Sequence, residues 1–72
     1  MSDGLWNQIK GNFEQVKGDL RSKWGELTDD EVQQMKGDRD SLVGSIREKY
    51  GIAQEEAEKQ VDEWAESIKS KI

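Results

Sequence analysis

The chain has 72 residues, a net charge of −5 and 38% charged residues. Without Cys or His, it has no disulfide, no thiolate nucleophile, no Cys/His zinc site and no imidazole for acid–base work near pH 7. Leu, Ile, Val and Phe number only 14 of 72, at the edge of the composition below ~20% where chains fail to build a core. The modest net charge and three Trp favour a small fold of limited stability over disorder.

Charge is unevenly spread. Residues 1–25 carry four basic and three acidic groups, and residues 26–72 carry seven and thirteen. That acidic balance works against general nucleic-acid binding, where neutralising phosphate supplies much of the affinity. No run approaches the ~18 apolar residues of a membrane span. The opening MSDGLWNQIK lacks the basic segment and apolar run of a secretory signal. The cytoplasm is therefore the expected location.

The elements follow in chain order. Leu5, Trp6, Ile9, Phe13, Val16, Leu20 and Trp24 recur at helical spacing, which predicts one continuous first helix. Gly25 suits the left-handed position just past its end. Thr28 and Glu31 form a capping box for a short second helix that turns Val32 and Met35 inward. Gly37 ends it, and Asp38 caps a third helix carrying Leu42, Val43, Ile46 and Tyr50, closed by Gly51. A fourth helix carries Ala57, Val61, Trp64, Ala65 and Ile68. Its early Glu55 and Glu56 and its late Lys69 and Lys71 suit the helix dipole.

KWGELTDDEV (23–32) and KYGIAQEEA (49–57) resemble one another. Each reads Lys, aromatic, Gly, a nearby apolar residue and an acidic helix start. The expected architecture is all-α: a single domain over residues 1–72, with four short helices as two packed helical hairpins.

The seven glycines fall into two series of seven-residue spacing: Gly4, Gly11, Gly18 and Gly25, then Gly37, Gly44 and Gly51. Gly11 and Gly18 lie roughly 140° and 120° from Trp6 around an ideal helix, and Gly44 about 160° from Ile46. These three face away from the core. A solvated face, a smooth strip for a partner's close approach and a deliberate local weakness are the readings open to them.

Candidate chemistry is sparse. Asp29, Asp30, Glu31, Glu55 and Glu56 sit at helix starts, where carboxylates are solvated capping groups without the burial a catalytic acid needs. Asp38 and Asp40 in DRDSLVG do not match a calcium loop. Trp6, Phe13, Trp24, Tyr50 and Trp64 fall on apolar faces and read as core, not as a base-stacking platform. Lys10, Lys17 and Arg21 flank the first helix, with Lys10 placed to pair with Glu14. No catalytic, cofactor-binding or metal-binding residue is expected. IREKYGIAQEEA (46–57) resembles the hairpin of helix-hairpin-helix DNA-binding modules through Gly51, Ile52 and Ala57. Ala53 replaces the second glycine of that pattern, and Gln54, Glu55 and Glu56 stand where basic residues would help phosphate binding.

WNQIKGNFEQVKG (6–18), KWGELTDDE (23–31), KGDRDSLVGSIREKYG (36–51) and AEKQVDEW (57–64) together resemble the CsbD-like family of small bacterial proteins. The resemblance covers nearly the whole chain. It implies a cytoplasmic protein of the general stress response, no established biochemical activity, and a helical fold like that of sterile-alpha-motif domains. Asp38 and Ser45 stand where members often have Lys, which further weakens anion binding. The expected function is a non-enzymatic, monomeric stress-response protein acting by weak or conditional contact with proteins or membranes. The alternative is a helix-hairpin-helix-type nucleic-acid-binding module.

Overall fold

The computed structural model describes residues 2–72, with side-chain burial from residue 4 onward. Met1, where the opening segment begins, lies outside the described residues. The chain forms α1 (Ser2–Gly11), α2 (Phe13–Lys23), α3 (Asp29–Met35), α4 (Arg39–Tyr50) and α5 (Gln54–Ile68), then a 3-10 turn, Lys69–Lys71.

Five helices stand where four were expected, because the first apolar stripe is bent at Asn12. That residue leaves helical geometry, at φ −113° and ψ 26°, and its side-chain amide donates to the Gln8 carbonyl at 2.9 Å. A straight helix over residues 2–23 would run about 33 Å at 1.5 Å per residue, whereas the chain as folded measures 29 Å in its longest extent. The bend brings Trp6 and Ile9 back over the core, where they are 6% and 0% exposed.

α2 ends differently from expectation. Gly25 does not take a left-handed conformation; among the described residues, positive φ belongs to Lys36, Gly37 and Gly51. The chain leaves α2 through Trp24 at φ −124° and ψ 79°, and the Leu27 amide donates back to the Trp24 carbonyl at 3.2 Å. This tight turn buries both Trp24 and Leu27. The Thr28–Glu31 capping box is present as read from the sequence. Asp38 caps α4 by accepting from the Ser41 amide at 2.9 Å. Gly51 closes α4 in the left-handed region, at φ 63°.

α5 is the axis of the fold, packing on α4, α2 and α1, while α3 packs on α4. The α4–α5 hairpin is therefore close-packed as expected, and α3 finds its main partner in α4 and not in the helix before it. The five inward residues expected on α5 are all buried. Trp64 lies at the centre, with ring centroids 6.2 Å from Trp6 and 5.6 Å from Trp24. The Trp24 indole N–H reaches Gln60 Oε1 at 3.1 Å. Tyr50 departs from expectation: it is 39% exposed, and its hydroxyl accepts from the Glu26 amide at 3.1 Å. Its place at the last turn of α4 puts the ring over the first joint and not under it. A radius of gyration of 11.0 Å matches the value of about 11 Å for a folded chain of this length, so the sparse apolar content suffices for a closed core.

Candidate functional site

The helix-start carboxylates lie at the surface, some in caps and ion pairs and the others simply exposed. Among the described residues, no polar or charged residue is buried. Asp29 accepts from Arg21 at 2.6 Å, and Asp30, Glu55 and Glu56 are exposed. Glu31 accepts from the Thr28 amide at 2.9 Å and faces Lys49 at 3.2 Å. The bond to Thr28, then Lys49, holds its carboxyl below the ordinary glutamate value. The Ser41 amide, assisted by Lys10, does the same for Asp38. These shifts favour ionised caps, the opposite of a carboxyl tuned upward for proton transfer. Asp38 and Asp40 gather no third ligand, and no cluster of three metal-ligating residues occurs among the described residues.

Lys10 does not pair with Glu14. Its amine lies 4.0 Å from Asp38, and Glu14 is taken by Lys17 at 2.8 Å. Arg21 turns to Asp29. The three cations of the first stripe are thus engaged with separate acids, and they present no open basic patch. Of the five aromatic residues, Trp6, Phe13, Trp24 and Trp64 are core, so they form no stacking platform.

One ion pair had no signal in the sequence. Arg39 donates to both carboxylate oxygens of Asp62, at 2.9 and 3.1 Å, tying the start of α4 to the middle of α5. This fork raises the Arg39 pKa. The two residues lie 23 positions apart, beyond any local spacing rule.

Two of the shallow clefts among the described residues lie beside glycines. One, of about 450 Å³, lies between α3 and α4, with Glu31, Gln34, Met35, Ser41, Gly44, Ser45 and Glu48 around it. The other, of about 410 Å³, lies where the α1–α2 joint faces α3, lined by Lys10, Gly11, Asn12, Phe13, Glu14, Gln15, Gln33 and Lys36. Gly11 and Gly44 each open onto one of them, with no atom within 4 Å of where a Cβ would stand. The outward glycine faces read from the helical angles are therefore real features of the surface.

Fold and surface together define a small all-helical protein built on a tryptophan-centred core, with its charged groups in caps and ion pairs and its relief beside glycines. The chain belongs to the CsbD-like family, whose model matches residues 7–59. It is 60% identical over 62 residues to a UPF0337 protein of Rhodopirellula baltica, covering 86% of this chain and 91% of that one. It is 58% identical over 59 residues to a UPF0337 protein of Mesorhizobium japonicum, covering 82% and 88%. With a UPF0337 protein of Rhodopseudomonas palustris it shares 44% over 64 residues, 89% and 97% of the two chains. No solved structure matches the chain. No helix of the described residues is long and apolar enough to cross a membrane.

Proposed function

We propose that this chain is a non-enzymatic, cytoplasmic stress-response protein that acts as a monomer through weak or conditional contacts with a protein or membrane surface. The sterile-alpha-motif-like arrangement implied by the family resemblance belongs to the same proposal. The observation that carries it is the pair of clefts beside Gly11 and Gly44. Both positions have room for a side chain, both forgo about 0.5–1 kcal/mol of helix stability relative to Ala, and neither is needed for core packing. Solvated, capped carboxylates weigh against an enzyme.

The test is survival under stress of a strain lacking this protein, complemented with wild type or with Gly11→Lys/Gly44→Lys. The variant fills both clefts while keeping the helices. Loss of protection with a melting temperature no lower than that of wild type is the expected result. Full protection by the variant removes the clefts from the function. A pull-down from stressed cells against a charge-matched control then asks for the partner.

The second reading is the helix-hairpin-helix-type nucleic-acid module. The exposed Gln54, Glu55 and Glu56 at the start of α5 oppose phosphate approach. A DNA titration at low salt decides it, since a phosphate-binding module gains affinity steeply as salt falls. Absence of binding there ends that reading.

A further inference from the structure

We infer that the cleft between the α1–α2 joint and α3 is a binding site for a small organic monoanion, a carboxylate carried on an apolar body. The two clefts beside glycines are alike in size and opposite in charge. The cleft between α3 and α4 has Glu31 and Glu48 on its wall and no cation. Lys49 neutralises Glu31 at 3.2 Å, while Glu48 stands outside the ion pairs of the described residues. One unshared negative charge is left there. The cleft at the α1–α2 joint has Lys10, Lys36 and Glu14 on its wall. Lys17 takes Glu14 at 2.8 Å, and Lys10 stands 4.0 Å from Asp38. Lys36 is exposed and, like Glu48, outside the ion pairs of the described residues. One unshared positive charge therefore faces this cleft, in a chain whose net charge is −5.

Three features make that charge usable by a ligand. Lys10 is held loosely, since 4.0 Å is the outer limit of an ion pair, and Asp38 has the Ser41 amide at 2.9 Å without it. Its amine is free to lean into the cleft while the cap of α4 stays closed. Lys36 is a cation kept at φ 49°, where an L-residue is strained and glycine is not. Backbone strain on the wall of a cleft points to a use for the side chain that holds it. The cleft itself, of about 410 Å³, lies within the size range of small-molecule sites. Phe13, 8% exposed, gives it an apolar wall, Gly11 leaves open space beside that wall, and Gln15 and Gln33 on the rim supply hydrogen-bond donors. A monoanion matches the single unshared charge. A neutral molecule leaves Lys36 unpaired, and a dianion brings more charge than the cleft neutralises. Binding here stands or falls apart from stress protection, which the complementation assay reads in cells.

The test is titration of the full chain with sodium benzoate at constant ionic strength, followed through the backbone amide resonances by NMR. The amides of Gly11, Phe13, Gln33 and Lys36 are expected to shift together and to saturate with a Kd in the millimolar range, as suits a shallow site and a ligand of few atoms. Those of Gly44, Ser45 and Glu48, at the acidic cleft, are expected to stay in place. Benzamide has nearly the same shape without the charge, and Lys36→Gln has the same backbone without the cation. Each is expected to weaken binding about three- to fivefold, and Lys36→Arg to retain it. Gly11→Leu fills the cleft and is expected to abolish saturation. The benzamide arm needs no variant, so the charge requirement is tested even where a substitution disturbs the fold. The proposal is overturned if benzoate gives no saturable shift at concentrations on the order of tens of millimolar, if benzamide binds as well as benzoate, or if the two clefts respond alike.

Discussion

Gly18→Ala and Gly37→Ala are expected to change stability in opposite directions, although each residue belongs to a series of seven-residue spacing. Gly18 lies inside α2 with no atom within 4 Å of a new Cβ. Alanine there gains helix propensity, about 0.5–1 kcal/mol, and loses nothing in packing. For a 72-residue chain the unfolding entropy is about 0.15 kcal/mol per degree, so the melting temperature should rise by about 3–6 °C. Gly37 stands at φ 82°, where a Cβ costs about 1–2 kcal/mol. Its Cβ would also meet the Lys10 Cα at 3.2 Å and the Lys10 amide nitrogen at 3.3 Å. Those atoms are backbone in the middle of the α1 seat, so relief requires a shift of α1, which adds about 1–3 kcal/mol. A total of about 2–5 kcal/mol is a large part of the roughly 4–11 kcal/mol available to a domain of this length. Urea unfolding followed by tryptophan fluorescence and by circular dichroism measures both variants on one scale, provided the two probes coincide. If Gly18→Ala loses stability, the outward face of α2 is packed and the helical placement of these glycines is wrong. If Gly37→Ala is neutral, the close approach of the turn to α1 is not a feature of the folded chain.

Lys36 occupies the left-handed C-cap of α3 at φ 49°. Lys36→Gly removes that Cβ penalty and should stabilise by about 1 kcal/mol, visible as a higher urea midpoint at unchanged m-value; a lower midpoint refutes it. Tyr50→Phe removes the acceptor for the Glu26 amide at an exposed site and should cost about 0.5–1 kcal/mol, with the Glu26 amide exchanging faster with solvent. Unchanged exchange at Glu26 would show that Tyr50 does not bridge the two joints. Asp38 and Glu31 both ionise below their ordinary values in the folded chain. Their stabilisation is therefore complete above the unfolded carboxylate pKa and is lost as pH falls through the lower folded one, on the acid side of about pH 4. Asp38→Asn keeps a capping oxygen without the charge, so its stability should decline less steeply than wild type between pH 4 and 2; parallel curves would mean that Asp38 contributes nothing to the acid response.

The sequence made legible what is local. The capping box at Thr28 and Glu31, the Asp38 cap, the Gly51 stop and the inward face of α5 all follow from residues three or four positions apart, and each is where spacing puts it. What escaped is tertiary in origin. The break at Asn12 is invisible to periodicity, which runs straight through it. The likeness of KWGELTDDEV to KYGIAQEEA hid two different joints. At the first, Trp24 turns inward and bonds Gln60 while Gly25 stays out of the left-handed region. At the second, Gly51 enters that region, Tyr50 stays out and Ala53 offers no side-chain cap. The two joints thus place their aromatics differently, Trp24 in the core and Tyr50 at the surface. The candidate carboxylates were legible as caps because capping is local. Their ion-pair partners, such as Lys49 for Glu31 and Arg21 for Asp29, lie on other helices and leave no trace in spacing.

The seven-residue glycine spacing therefore joins positions with different physical duties. Gly37 and Gly51 serve the backbone, one through a close approach and both through positive φ. Gly4, Gly11, Gly18 and Gly44 have open space where a Cβ would be, and together they forgo about 2–4 kcal/mol that alanine would supply. That is a substantial share of the roughly 4–11 kcal/mol that holds a chain of this length folded. Two of the four flank the α1–α2 joint and one opens onto the α3–α4 cleft. The weakness is thus concentrated in the helices around α5 and spares α5 itself, whose 15 residues contain no glycine. Opening of the chain should accordingly begin at α1, and the amides of α1 should exchange with solvent through a smaller unfolding, with a shallower urea dependence, than those of α5. Equal exchange free energies and equal urea slopes in α1 and α5 would show instead that the fold opens only as a whole, and that the glycines lower its stability without localising where it fails.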